Sequence, residues 1–297
     1  MKTLNISNNF LGLEEKHSNL ATSKIAIVSA PYEYTVSYGG GTKMGPTAIL
    51  EASQYVEFYD EETDKEICFE QGICTIDPLN FDNISGKPVL TKIENQVKEL
   101  LELGKFIITL GGEHTISTAP IKAHFDKYPN MSILHFDAHS DLRDEYEGTK
   151  YSHASIMARV MEFFPPNKLT QVGIRAQCKE EADFIKSKNV NTFYATEIRR
   201  GFHGVNWQKK VVDTLNEEIY ITFDVDYFDP SIMPSTGTPE PDGFLYNETL
   251  EVFRQIIKSG KKIIGFDLNE LAPKIDLSHP NILCSKLIYK ILNYIFK

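Results

Sequence analysis

Met131-Ser132-Ile133-Leu134-His135-Phe136-Asp137-Ala138-His139-Ser140-Asp141 runs from a strand-length apolar segment straight into acids and imidazole. Residues 131–136 read as a short buried strand. Asp137, His139 and Asp141 follow at i, i+2 and i+4. In extended backbone, alternate side chains share a face, so one strand end can aim two carboxylates and an imidazole into one cavity. Packed carboxylates repel one another and resist desolvation unless a cation lies among them. The stretch therefore predicts a metal site, and one with more than a single ion.

Outward from this strand, apolar runs and helical patterns alternate along nearly the whole chain. Residues 24–28, 66–76, 106–110, 169–174, 191–194, 218–223 and 262–267 read as further strands. Helical spacing covers Gly45 to about Tyr59, with Pro46 suited to a first turn, then 90–103 and a segment starting at Thr115. It continues over 153–164, 180–187, 207–215, 248–259 and 279–294. This alternation predicts an α/β fold with a parallel sheet covered on both faces. No composition break or internal repeat divides the 297 residues. A single domain over 1–297, with a short polar N-terminal extension at about 1–20, is the simplest organisation.

In open sheets of this kind, ligands bind beyond the carboxyl ends of the strands. The other chemical motifs begin there. Gly111-Gly112-Glu113-His114-Thr115 follows the run 106–110, and its glycines permit a tight turn. Asp224-Val225-Asp226 follows Tyr220-Ile221-Thr222-Phe223 and repeats the i, i+2 spacing of carboxylates. Gly265-Phe266-Asp267-Leu268-Asn269-Glu270 brings another acid to a strand end. Singly, a strand-end Asp caps a helix and a lone His is a structural residue. Together, His114, Asp137, His139, Asp141, Asp224 and Asp226 converge from separate strand ends, which points to one site.

The bulk composition sets limits. An apolar fraction of 41% and a charged fraction of 24% are ordinary for a soluble globular chain. The net charge of −10 argues against nucleic acid and suits a cationic substrate. No apolar run is long enough for a membrane span, and the start at Met1-Lys2-Thr3-Leu4-Asn5 has no signal-peptide core. Cys68, Cys74, Cys178 and Cys284 show no CxxC spacing, which fits reduced thiols in a cytoplasmic protein.

GGEH at 111–114, DAHSD at 137–141, DVDYFDP at 224–230 with its TGTPEP continuation, and NELAP at 269–273 occur in one order along the chain. In these motifs the sequence resembles the ureohydrolases, the arginase and agmatinase family, over almost its whole length. The resemblance implies a three-layer α/β/α sandwich around a mostly parallel eight-stranded sheet. It also implies two Mn²⁺ per subunit and a homo-trimer or homo-hexamer. Position by position, His114 and Asp141 would bind one manganese and His139 and Asp226 the other, with Asp137 and Asp224 bridging. An oxygen-rich set with a few imidazoles suits Mn²⁺ better than a sulfur-rich zinc site.

The implied reaction hydrolyses a guanidinium group to urea and an amine. Asp141 would relay a proton to the leaving amine, Glu270 would grip the guanidinium, and His153 would exchange protons with solvent. Thr238 would orient substrate or a metal ligand. Residues 142–147 lack the Asn pattern with which arginases read an α-carboxylate. Ala176, Gln177 and Cys178 stand where arginases place acids for the α-amino group. Residues 31–42 and 146–154 are similar to the agmatinase branch. The implied substrate is agmatine, giving putrescine. Aminopropylagmatine is the first alternative, followed by guanidinobutyrate and arginine. A single-zinc deacetylase of related fold is the alternative of a different class.

Overall fold

The computed structural model describes residues 1–297, and its eight strands form one sheet. They are β1 (Ile25–Ala30), β2 (Ile73–Thr75), β3 (Phe106–Gly111), β4 (Ser132–Phe136), β5 (Leu169–Val172), β6 (Asn191–Phe193), β7 (Glu218–Asp224) and β8 (Lys262–Asn269). Their order is β2-β1-β3-β8-β7-β4-β5-β6. Every pairing is parallel, so the sheet is parallel throughout rather than mostly so. β1 and β4 are buried at every residue, as strands covered on both faces must be.

Helices on each face account for that burial. On one side lie Lys87–Glu102 and Thr118–Lys127, packed against each other. Val89, Ile93, Val97 and Leu100 are fully buried at helical spacing, so one stripe of the Lys87–Glu102 helix meets the sheet. Each such side chain contributes about 1.5–3 kcal/mol on leaving water. On the other side, Gly45–Ser53 packs on His279–Ile295, and Tyr246–Lys258 packs on Trp207–Asp213. No helix is long and apolar enough to cross a membrane.

The register decides where the site falls. Leu110 pairs with Leu268, Leu268 with Phe223, and Phe223 with Phe136. The next residues, Gly111, Asn269 and Asp224, therefore end three adjacent strands at one level, and Asp137 lies just past the end of the fourth. β8 and β7 enter between β3 and β4, so motifs remote in sequence become neighbours.

Several local expectations change. Residues 66–76 form a helical turn (Ile67–Gln71) before β2 rather than one strand. Gly72, at φ +66°, ends the turn by donating its N–H to Cys68 O. The short apolar runs on either side of it fit helix and strand equally well. The Gly45 helix stops at Ser53, whose hydroxyl accepts the Leu11 N–H and donates to Leu50 O. The 153–164 segment keeps only Ile156–Val160 as α-helix, after a turn in which Ser152 accepts the Ala154 N–H. Residues 1–20 do not stand apart from the body, because Phe10, Leu11 and Leu13 are buried in the largest apolar cluster.

His124, on the Thr118–Lys127 helix, lies against β8 where Gly265 leaves space; a Cβ at 265 would collide with its ring. Nδ1 donates to Pro120 O at 2.7 Å, and the buried Nε2 has no partner. Burial lowers its pKa to about 4. The folded value lies below the unfolded one, so the unfolded chain takes up this proton first as pH falls. The stabilisation is present above about pH 6.5 and is lost towards pH 4, amounting to roughly 3 kcal/mol. Urea denaturation across this window should show a steeper acid loss for wild type than for His124→Gln. Parallel pH dependences would contradict the assignment.

Candidate metal centre

The ligand-type side chains sit in different backbone settings. β4 ends at Phe136, so Asp137, His139 and Asp141 are not continued strand. Asp141 is left-handed at φ +54°, and Glu270, just beyond β8, at φ +66°. Both are strained for residues with a Cβ, and such strain gathers at functional sites. Asp224 closes β7, whereas Asp226 lies in the Val225–Tyr227 turn. Asp137, His139 and Asp141 thus come together through turns and not through the alternation of a continued strand. Gly112 allows the β3 turn to pass Tyr32, since any Cβ there would collide with the Tyr32 carbonyl.

His114 supplies the sharpest test of whether a cation belongs here. Thr222 Oγ1 donates to Asp267 Oδ1 at 2.7 Å. It therefore accepts from His114 Nε2–H, 2.9 Å away. In the neutral ring that leaves His114 Nδ1 as a lone pair with no hydrogen-bond partner. It faces Asp137 Oδ2 at 3.1 Å, Asp141 Oδ2 at 3.3 Å and Asp224 Oδ2 at 3.4 Å. A lone pair among three carboxylate oxygens is a donor set arranged for a cation.

The second half of the cluster is alike. His139 Nδ1 lies 2.8 Å from Asp226 Oδ2 and 3.7 Å from Asp137 Oδ1. His114, His135, Asp137 and Asp141 form one group of converging atoms; Asp137, His139 and Asp226 form another. Asp137 belongs to both. Backbone amides fix the carboxylates: His139 N donates to Asp137 Oδ1, Ala138 N to Asp226 Oδ1, and Asp226 N to Asp224 Oδ1.

Charge crowding is severe without a cation. Burial, and then the charge of Asp137, pushes Asp141 up to about 7. Burial, followed by Asp226 and Asp137, holds Asp224 well above the carboxylate range. Burial opposes protonation of His114, yet Asp137, Asp141 and Asp224 together raise it well above its usual value. Protons thus occupy a site whose charge asks for metal.

Glu270 is placed beside this cluster. Its Oε1 accepts the His114 N–H at 2.6 Å, and its own N–H donates to Gly112 O at 2.9 Å. Above lies a cleft of about 350 Å³. His114, His139, Asp141, Asp224, Asp226, Glu270, His153 and Thr238 all line it, while fully buried Asp137 lies beneath. Ser37, Arg143, Tyr146, Gln177, Glu181 and Glu240 complete the walls. Burial, and then the charge of His139, lowers His153 to about 4.

The sequence reading missed the residues that hold these groups in place. His135 Nδ1 accepts from Gln171 Nε2 at 3.0 Å, so its Nε2–H donates to Asp137 Oδ2 at 2.7 Å. Asp267, read as a strand-end acid, is buried within β8 and also accepts from Ser117, Asn269 and Tyr220. Arg175 donates to the carbonyls of Asp226, Glu240 and Pro241, tying the acidic turn to the cleft wall. A signal existed for part of this: His135 and Thr222 each precede a strand-end Asp by two residues, on the same face.

The Arginase family model matches residues 23–293, and the chain belongs to this family. It is 37% identical to an N(1)-aminopropylagmatine ureohydrolase of Synechocystis, covering 94% of this chain and 92% of that one. It is 34% identical to an agmatinase of Bacillus anthracis, over 94% of each chain. The fold superposes on the agmatine ureohydrolase of Thermoplasma volcanium with a TM-score of 0.86 at 25% identity, covering 100% of this chain and 94% of that one.

Thr222→Val removes the oxygen that fixes the His114 tautomer while keeping the side-chain shape. Titration of the metal-free protein with Mn²⁺ should show affinity lowered about 10- to 100-fold, with Thr222→Ser close to wild type. Unaltered affinity in the Val variant would contradict the tautomer argument.

Proposed function

We propose that the protein is a binuclear manganese ureohydrolase that converts agmatine to putrescine and urea. The observation that carries this reading is the convergence of His114, Asp137, His139, Asp141, Asp224 and Asp226, with His114 Nδ1 unpartnered among them and Glu270 on the same cleft. His114 and Asp141 would hold one ion and His139 and Asp226 the other, with Asp137 and Asp224 shared. Bound there, the ions supply the Lewis acidity that makes water a nucleophile at neutral pH.

The chain's own groups then bind substrate and move protons. Glu270, its carboxylate plane held by the His114 amide, pairs with the N–H fork of the guanidinium. Asp141 transfers a proton to the departing amine, which leaves as urea forms. His153, at the cleft wall, exchanges protons with solvent. Thr238, also on the cleft, orients the substrate or a metal ligand.

Two features favour agmatine over arginine. Ala176 and Gln177 stand on the cleft where arginases place acids for the α-amino group. Glu181 and Glu240 add negative charge that suits agmatine's terminal amine and repels the α-carboxylate that only arginine carries. The Synechocystis relative, an N(1)-aminopropylagmatine ureohydrolase at 37% identity, favours a second reading in which a longer polyamine tail is accepted. We further propose a cytoplasmic homo-trimer or homo-hexamer.

Urea release from agmatine, aminopropylagmatine, guanidinobutyrate and arginine, measured with manganese present, tests the substrate. Agmatine should give the highest kcat/KM, and preference for arginine would overturn that assignment. Asp224→Ala should lose metal and turnover together; near-normal metal content would remove its shared-ligand role. Glu270→Gln should keep its metal yet lose about a hundredfold or more in kcat/KM. Wild-type kinetics there would refute the guanidinium clamp.

A further inference from the structure

Glu113 precedes the ligand-type His114 but turns away to the loop that faces His153. Its Oε2 accepts two backbone N–H groups, from Tyr34 at 2.7 Å and Thr35 at 2.6 Å. Its Oε1 lies 2.9 Å from the Thr35 hydroxyl. That hydroxyl accepts the His153 backbone N–H at 3.1 Å and lies 3.3 Å from His153 Nδ1. Glu113 is fully buried, while Ser37, 3.5 Å from His153 Nε2, is exposed at the cleft.

The Thr35 hydroxyl has one hydrogen and two lone pairs. The His153 N–H occupies one lone pair. The hydrogen goes to Glu113 Oε1, the shorter contact at 2.9 Å against 3.3 Å. The remaining lone pair then accepts from His153 Nδ1–H, and Nε2 is left unprotonated on the side of Ser37. The reverse chain sends that hydrogen along the longer contact, to His153 Nδ1. It would leave His153 protonated on Nε2.

We propose that Glu113, acting through the Thr35 hydroxyl, is a positioning residue that holds His153 as the Nδ1–H tautomer with Nε2 free toward the cleft. In each cycle Nε2 accepts one proton, giving the imidazolium, and returns it to water, so the ring is regenerated. This rests on His153 as the proton-exchanging residue of the proposed reaction. Without the Thr35 acceptor the ring divides between tautomers, and part of the population presents no lone pair to the cleft.

The test is a double-mutant cycle with metal content measured in each variant. Thr35→Val should lower kcat about 10-fold or more with KM unaltered, whereas Thr35→Ser should stay within about 2-fold. The Val effect should vanish in a His153→Asn background. If His153→Asn itself keeps full activity, the reading of His153 fails. If His153→Asn is impaired while Thr35→Val is wild type, or loses as much in the Asn background, the positioning role alone fails. Nitrogen NMR of histidine-labelled, zinc-loaded protein gives a readout independent of turnover. The resonances absent from His153→Asn should show a protonated Nδ1 and a bare Nε2 in wild type. A protonated Nε2 would overturn the proposal.

Discussion

Four buried carboxylates share one small volume at the carboxyl edge of the sheet, and the rest of the site is arranged around that fact. Asp137, Asp141, Asp224 and Asp226 are almost wholly removed from water. Such charges are tolerated only with compensating cations or protons. In the metal-free state protons fill the role, raising Asp141, Asp224 and His114 together. Metal supplies the same compensation with divalent charge and frees the carboxylates to act as ligands.

Holding repelling groups in place requires a rigid frame, and the frame is a polar row one pleat below the ligands. Register aligns Thr109, Asp267, Thr222, His135 and Gln171 across β3, β8, β7, β4 and β5. Thr222 and Asp267 fix His114, and Gln171 and His135 fix Asp137. Thr222, Asp267, His135 and Gln171 each have partners, as a buried polar network needs in order to rigidify rather than destabilise, whereas the Thr109 hydroxyl has none. The apolar helix faces on both sides keep water out, so these hydrogen bonds face little competition. Cleft-lining groups hang from the same frame: the His114 amide holds Glu270, and Arg175 holds the wall that carries Glu240.

Much of this was legible in the sequence, for definable reasons. Alternating strand and helix patterns reveal a parallel sheet because buried strands are continuously apolar. Strand-end acids stand out because acids directly after an apolar run rarely serve packing. Residues 66–76 were misread because a five-residue helix and a three-residue strand leave too short a pattern. The left-handed turn at Asp141 was invisible, since nothing local distinguishes it from extended backbone. His135 and Thr222 looked like parts of apolar strands and Asp267 like a strand-end acid, because their partners come from strands remote in the chain. Arg175 serves carbonyls of a segment some fifty residues away, a relation no local pattern records.

The central claim is that the carboxylate cluster is built for two cations that share Asp137 and Asp224. Anomalous diffraction from crystals grown with manganese tests this most directly. Two peaks roughly 3.5–4 Å apart are predicted, one against His114 and Asp141 and the other against His139 and Asp226. A single peak, or none with the carboxylates still paired through protons, would contradict the account.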